Sequence, residues 1–185
     1  PPDMRKIGSP GKAVGNEVCI LSPDLTSLPP NQQGEIAVRG PNVMAGYFKN
    51  PEATADTFAL DGWLRSGDLG HVDDDGYFFV TGRLKELIIK GGENIAPREI
   101  DEALYSHADV IEAAAFARPC ETYGERVEAA VRVKQGSLLT AEALGAICVK
   151  KLGRFKSPER VHFLEELPKG PSGKIQRLRL AELIS

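Results

Sequence analysis

The sequence predicts an α+β fold in two parts, a β-rich stretch over residues 1–83 and a small mixed domain over 84–185. Three observations carry this. Turn residues punctuate the first part at short intervals, helical periodicity begins only after Arg83, and charge is divided unevenly. Residues 1–83 hold 7 Lys/Arg and 11 Asp/Glu, against 16 and 15 in residues 84–185.

In the first part, Ser22-Pro23-Asp24, Leu28 to Gly34, Gly40-Pro41-Asn42 and Asp73 to Gly76 read as turns. The runs between them, Glu17–Leu21, Glu35–Arg39 and Tyr77–Thr81, read as strands, and Asp75-Gly76 marks a tight hairpin. Asp73, Asp74 and Asp75 belong to that turn rather than to a calcium loop. Only two of them have ligand spacing and no later Glu completes the set.

After Arg83 the pattern changes. Pro97 suits the first turn of a helix, with Glu99, Asp101 and Glu102 near its positive end and Ile100, Ala103 and Leu104 on one face. Val110–Ala117 and Val127–Val133 read as strands. Thr140 caps a second helix whose apolar stripe is Leu144, Ile147, Cys148 and Leu152, ended by Gly153. Val161–Leu164 reads as a short strand and Arg177–Ile184 as a closing helix.

Composition narrows the function classes. Of 185 residues, 42% are hydrophobic and 26% charged, which is ordinary for one or two globular domains. No apolar run approaches the roughly 20 residues of a membrane span, and the first residues do not read as a signal peptide. Cys19, Cys120 and Cys148 are odd in number and widely spaced. They suggest neither a disulfide framework nor a metal site, and imply a reducing, cytoplasmic setting. The last 36 residues carry nine basic and four acidic side chains, a bias that favours a phosphorylated partner. Nucleic acid is not expected, because aromatic interleaving and binding motifs are absent.

Three short runs carry candidate chemistry. Pro168-Lys-Gly-Pro-Ser-Gly-Lys174 is not a phosphate-binding P-loop, since Pro168 replaces the first Gly and Ile175 follows the Lys. It places Lys174 at the tip of a tight loop, free to enter another domain's cleft. Ser66-Gly67-Asp68 offers a two-oxygen acceptor in a loop, and Arg83 a rigid donor fork. In Lys90-Gly91-Gly92-Glu93-Asn94 the glycines permit close backbone approach or simply a tight turn.

Taken in order with Gly34–Tyr47, these runs resemble the C-terminal third of the adenylate-forming superfamily. That superfamily includes acyl-CoA synthetases, luciferases and peptide-synthetase adenylation domains. The resemblance implies an AMP-forming acid–CoA ligase, which activates a fatty, aryl or small dicarboxylic acid with ATP and Mg2+ and then transfers it to coenzyme A. By the same resemblance Lys174 is catalytic, bridging the substrate carboxylate and the α-phosphate. Asp68 and Arg83 hold the ribose or phosphate of the nucleotide. Lys90, Gly91, Gly92 and Asn94 face CoA, and Lys85 is a hinge within Leu84-Lys85. A carrier-protein or luciferase-like enzyme is disfavoured by the Lys85–Asn94 run, and a non-catalytic interaction fragment is the remaining alternative.

The resemblance also implies what the chain lacks. The phosphate loop, the Mg2+ ligands and the acid pocket belong to a large N-terminal domain in that superfamily. Residues 1–83 then look like its last β-rich portion and 84–185 like a mobile lid, so the isolated chain is expected to be inactive. Leu183-Ile184-Ser185 does not resemble a peroxisomal address.

Overall fold

The computed structural model describes residues 5–184, with Leu60 described by its backbone alone. The chain divides into two compact units, residues 1–85 and 86–185.

The first unit is an antiparallel sheet in chain order, β1 (Glu17–Leu21), β2 (Gly34–Arg39), β3 (Leu64–Val72) and β4 (Phe78–Arg83). Ile20, Leu21, Ile36, Ala37 and Leu69 form its buried centre. The β3–β4 connection is the expected turn. Asp73 Oδ1 accepts from the backbone N–H groups of Asp75 and Tyr77 at 3.0 and 2.9 Å, and Gly76 adopts φ 81. Lys6 pairs with both Asp73 and Asp75, so these carboxylates are already engaged.

Two features of this unit depart from the sequence reading. Ser66-Gly67-Asp68, expected in a loop, lies inside the nine-residue β3. A short helix, α1 (Pro51–Thr57), was not anticipated. Asn50 caps it by accepting from Ala53 N–H at 3.0 Å, and Pro51 opens it. None of its residues is buried, so it has no apolar stripe by which to read it.

The second unit contains β5 (Ile88–Lys90), β6 (Glu93–Ile95), α2 (Pro97–Tyr105), β7 (Val110–Cys120), β8 (Gly124–Val133), α3 (Ala141–Leu152), β9 (Arg160–Phe163) and α4 (Arg177–Leu183). The sheet order is β6-β5-β8-β7, and β9 lies parallel to β8. A parallel neighbour needs a crossover, and α3 supplies it. Thr140 Oγ1 accepts from Ala143 N–H at 3.3 Å and Gly153 ends the helix at φ 79, as the sequence predicts.

Both faces of the long β7–β8 pair are covered. On one face Ile100, Ala103 and Leu104 of α2 and Leu144 and Cys148 of α3 pack with Ala113, Ala115, Val127, Ala129 and Val131. On the other, Leu167 and Leu180 pack with Ala114, Phe116 and Ala130. Strands buried on both sides read as continuous apolar runs, which Ala113–Ala117 is.

Candidate functional site

Asp68 and Arg83 are brought together within the first unit. They are direct partners across β3 and β4, and Arg83 Nε lies 2.9 Å from Asp68 Oδ1. The backbone around Asp68 is deliberately irregular. Glu35 pairs with Leu69 and Ala37 with Arg65, so β3 carries two extra residues against β2, with Gly67 at φ 73. Bulges of this kind re-aim side chains and are common beside active sites. Glu35 holds the bulge in place: its Oε1 accepts from Gly67 N–H at 3.0 Å, and its Oε2 from Arg65 Nε at 2.9 Å. Ser66 Oγ donates to the Ile36 carbonyl at 2.6 Å and accepts from Asp68 N–H at 3.0 Å. The result is a partly exposed carboxylate on a fixed backbone, with one oxygen taken by Arg83. Its other oxygen has no partner among the described residues.

Lys90, Gly91, Gly92 and Asn94 share the β5–β6 hairpin. Lys90 pairs with Glu93, leaving Gly91 and Gly92 as a two-residue connection at φ 58 and 84. Two consecutive positive φ values suit the tight hairpin turn whose twist matches the strands, and they explain the glycine pair. Gly91, Gly92 and Asn94 are exposed. Lys90 is not. Its ammonium is buried, 3.0 Å from Glu159 Oε1 and within 5.2 and 5.6 Å of the Phe155 and Tyr123 ring centres. A cation so enclosed is satisfied inside its own unit.

Lys174 lies in a second hairpin, and its position corrects the expectation. The apex is Pro171-Ser172, closed by Gly173 N–H donating to the Gly170 carbonyl at 2.9 Å. Lys174 stands on the returning arm, where its carbonyl accepts from Gly170 N–H at 2.9 Å. Pro171 at the first corner and Gly173 at φ 78 account for the turn. The Lys174 side chain is exposed and makes no ion pair among the described residues. Its loop is tied down nearby, because Lys169 pairs with Glu112 of β7 at 2.5 Å and Leu167 is buried. Lys85 lies in a 3-10 turn, Leu84–Glu86, as the last residue of the first unit.

The histidines serve structure. His71 stacks on Phe79 with ring centres 5.0 Å apart, and His107 Nδ1 accepts from Asp109 N–H at 3.2 Å. His162 lies 2.8 Å from the buried Glu128. Among the described residues no group of three or more His, Cys, Asp or Glu side chains is gathered as a metal site, and no helix is long and apolar enough to cross a membrane.

Known proteins resemble this chain over nearly all of its length. The AMP-binding enzyme C-terminal domain family matches residues 99–174, and the AMP-binding enzyme family matches residues 1–48. A sulfoacetate–CoA ligase of Cupriavidus necator is 52% identical over 97% of this chain and 35% of its own length. An oxalate–CoA ligase of Arabidopsis thaliana is 47% identical over 96% of this chain and 34% of its own. The chain belongs to the AMP-binding, adenylate-forming enzyme family.

The fold agrees with that membership. ATP-bound MatB from Rhodopseudomonas palustris superposes with a TM-score of 0.90 at 35% identity, covering 95% of this chain and 35% of that one. The o-succinylbenzoate CoA synthetase of Bacillus subtilis with its acyl-adenylate intermediate gives 0.88 at 36%, covering 95% and 36%. The chain spans about a third of the length of the curated AMP-binding relatives it matches. Three groups escaped the sequence reading: Glu35 behind Gly67, Glu159 against Lys90, and Asp101 with Arg177. A charged residue inside an apolar strand, as in Gly34-Glu35-Ile36, is the one signal that pointed to the first.

Proposed function

We propose that this chain is the C-terminal portion of an ATP-dependent acid–CoA ligase that forms an acyl-adenylate and then a thioester. The observation that carries this is the Asp68–Arg83 pair on its bulge, in a family member whose relatives include CoA ligases of sulfoacetate and oxalate. Asp68 accepts the ribose hydroxyls through a carboxylate that Arg83 orients, and Arg83 keeps donors for a phosphate. Lys174 supplies the mobile positive charge. Adenylation brings a carboxylate against a phosphoryl group, and an ammonium beside both offsets the accumulating charge. Its freedom from ion pairs suits a group that must meet its partners elsewhere.

The hinge is Lys85, at the junction of the two units. Gly91, Gly92 and Asn94 offer exposed backbone and an amide to CoA, while Lys90 holds their hairpin through Glu159 and contacts no ligand itself. The ligands for the Mg2+ that accompanies ATP, the acid pocket and the phosphate loop are expected in the large N-terminal domain that this reading requires, so the chain alone does not adenylate. The acid pocket lies outside this chain, and relatives named for sulfoacetate, oxalate and 2-succinylbenzoate favour a short or dicarboxylic anion over a fatty acid.

The test uses the full-length enzyme. Lys174→Ala lowers ATP–pyrophosphate exchange by about 100- to 1,000-fold, the range for losing one charge-stabilising group. Thioester formation from supplied acyl-adenylate largely survives. Equal loss in both half-reactions would remove Lys174 from this role.

A further inference from the structure

Arg177 opens α4 three residues beyond Lys174, and its guanidinium reaches around the free edge of β7. Nη1 donates to the Ala115 carbonyl at 2.6 Å and to Asp101 Oδ1 at 3.2 Å, and Nη2 donates to Asp101 Oδ2 at 2.8 Å. Nε donates to Glu86 Oε2 at 3.1 Å. Asp101 Oδ1 also accepts from Ala115 N–H at 2.7 Å. The Arg177 and Asp101 side chains are only 16% and 11% exposed.

Asp101 therefore does not serve the α2 dipole, as its place in the sequence suggested. Burial raises its carboxyl above the ordinary range, and Arg177 and the Ala115 amide act against that rise. Burial also opposes the Arg177 charge, but Asp101 and Glu86 outweigh it and hold the guanidinium charged. A fork bound on all sides is a rigid connector, whereas a lysine here would offer only a point charge.

What the network connects is informative. Glu86 is the first residue of the second unit, directly after Lys85. Arg177 follows the hairpin that carries Lys174, and among the described residues no other side-chain bond joins Glu86 to that segment. The other anchor of the hairpin, Lys169–Glu112, fixes its entering arm to β7. Arg177 fixes the departing arm, on which Lys174 stands, to the residue beside the pivot.

We infer that Arg177, clamped by Asp101 and Glu86, is a positioning residue for adenylation that holds the Lys174 arm at a set distance from the pivot at Lys85. This rests on the proposed role of Lys174. When the second unit turns, the ammonium travels with the pivot as one rigid lever instead of on a loose loop. Acyl transfer to CoA does not use Lys174, so it does not need this connection.

The experiment uses the full-length enzyme with Arg177→Lys, Glu86→Gln, Lys174→Ala and the Glu86→Gln/Lys174→Ala double variant. Both half-reactions and thermal unfolding are measured. Glu86 is partly exposed, so Glu86→Gln keeps the test open if Arg177→Lys fails to fold. Arg177→Lys and Glu86→Gln are each expected to lower kcat for adenylation by about 10- to 100-fold with KM for ATP unchanged, the effect of misplacing a reacting group by about 1 Å. Acyl transfer from supplied adenylate stays at wild-type rate. In the Lys174→Ala background Glu86→Gln adds no further loss, because it acts through that lysine.

Additive losses, equal losses in both half-reactions, or wild-type adenylation in folded Glu86→Gln would overturn the inference while leaving Lys174 in place. Undiminished adenylation by Lys174→Ala would instead remove the reading beneath it.

Discussion

Asp68 and Arg83 face each other directly across β3 and β4, with Nε 2.9 Å from Oδ1, on a stretch of β3 that carries two residues more than its neighbour β2. The pairing fixes which carboxylate oxygen is used inside the protein and which would remain for the ribose in the proposed role. Replacing Asp68 by Asn keeps the shape and removes the charge. In the full-length enzyme Asp68→Asn is expected to weaken AMP binding about 10- to 100-fold, the worth of a hydrogen bond to a charged group. Calorimetric titration with AMP measures it, and unchanged affinity would take the ribose contact away from Asp68.

Lys85 sits in a short 3-10 turn at the boundary of the two units, and the hinge proposed there would need a free φ. Proline locks φ near −65°. Lys85→Pro is therefore expected to slow thioester formation more than adenylation in the full-length enzyme. Rapid-quench measurement of each half-reaction separates the two, and an unaffected second step would argue against a pivot here.

The Gly91-Gly92 turn can be divided into a folding role and a ligand role. Gly92→Ala at φ 84 should destabilise the chain by about 1–2 kcal/mol, the usual steric penalty of a left-handed L-residue. Asn tolerates such φ values and a Cβ at Gly92 meets nothing within 4 Å, so Gly92→Asn should cost less in urea unfolding. If CoA approaches this backbone closely, Gly92→Asn keeps the fold but raises KM for CoA. Wild-type KM in that variant would leave the glycines as turn formers alone.

Cys148 gives a prediction about pH. Burial pushes its thiol up to about 11 from an ordinary 9.0, with nearby Lys151 working slightly the other way. The unfolded chain therefore loses this proton first as pH rises. The thiol's stabilising contribution is complete below about pH 9 and is lost as pH climbs toward about 11, a change of about 2–3 kcal/mol. Cys148→Ala lacks it. Urea unfolding of both chains across pH 8–11 should show wild type losing stability faster than the variant, and parallel profiles would exclude the thiol as the cause.

The second unit was largely legible in the sequence because its signals are local. Thr140 and Gly153 bracket α3, Pro97 opens α2, and Val127, Ala129 and Val131 alternate toward one face. The first unit was legible where strands alternate with turns, but not at α1, which buries nothing, nor at Ser66–Asp68, where a bulge resembles a loop. The resemblance named Asp68, Arg83 and Lys174, and the structure joined the first two. What one-dimensional reading missed were partners distant along the chain. Glu159 lies 69 residues from Lys90, and Arg177 lies 76 from Asp101. Such pairs leave no periodicity, and their charged side chains look like surface until the fold buries them.

The clamp around Ala115 has one more consequence. β7 borders its sheet, and at this residue both outward-facing main-chain groups are already committed, the amide to Asp101 and the carbonyl to Arg177. A stray strand from another molecule arriving at this register finds nothing to zip onto, so the same ion pair guards the protein against edge-on self-association.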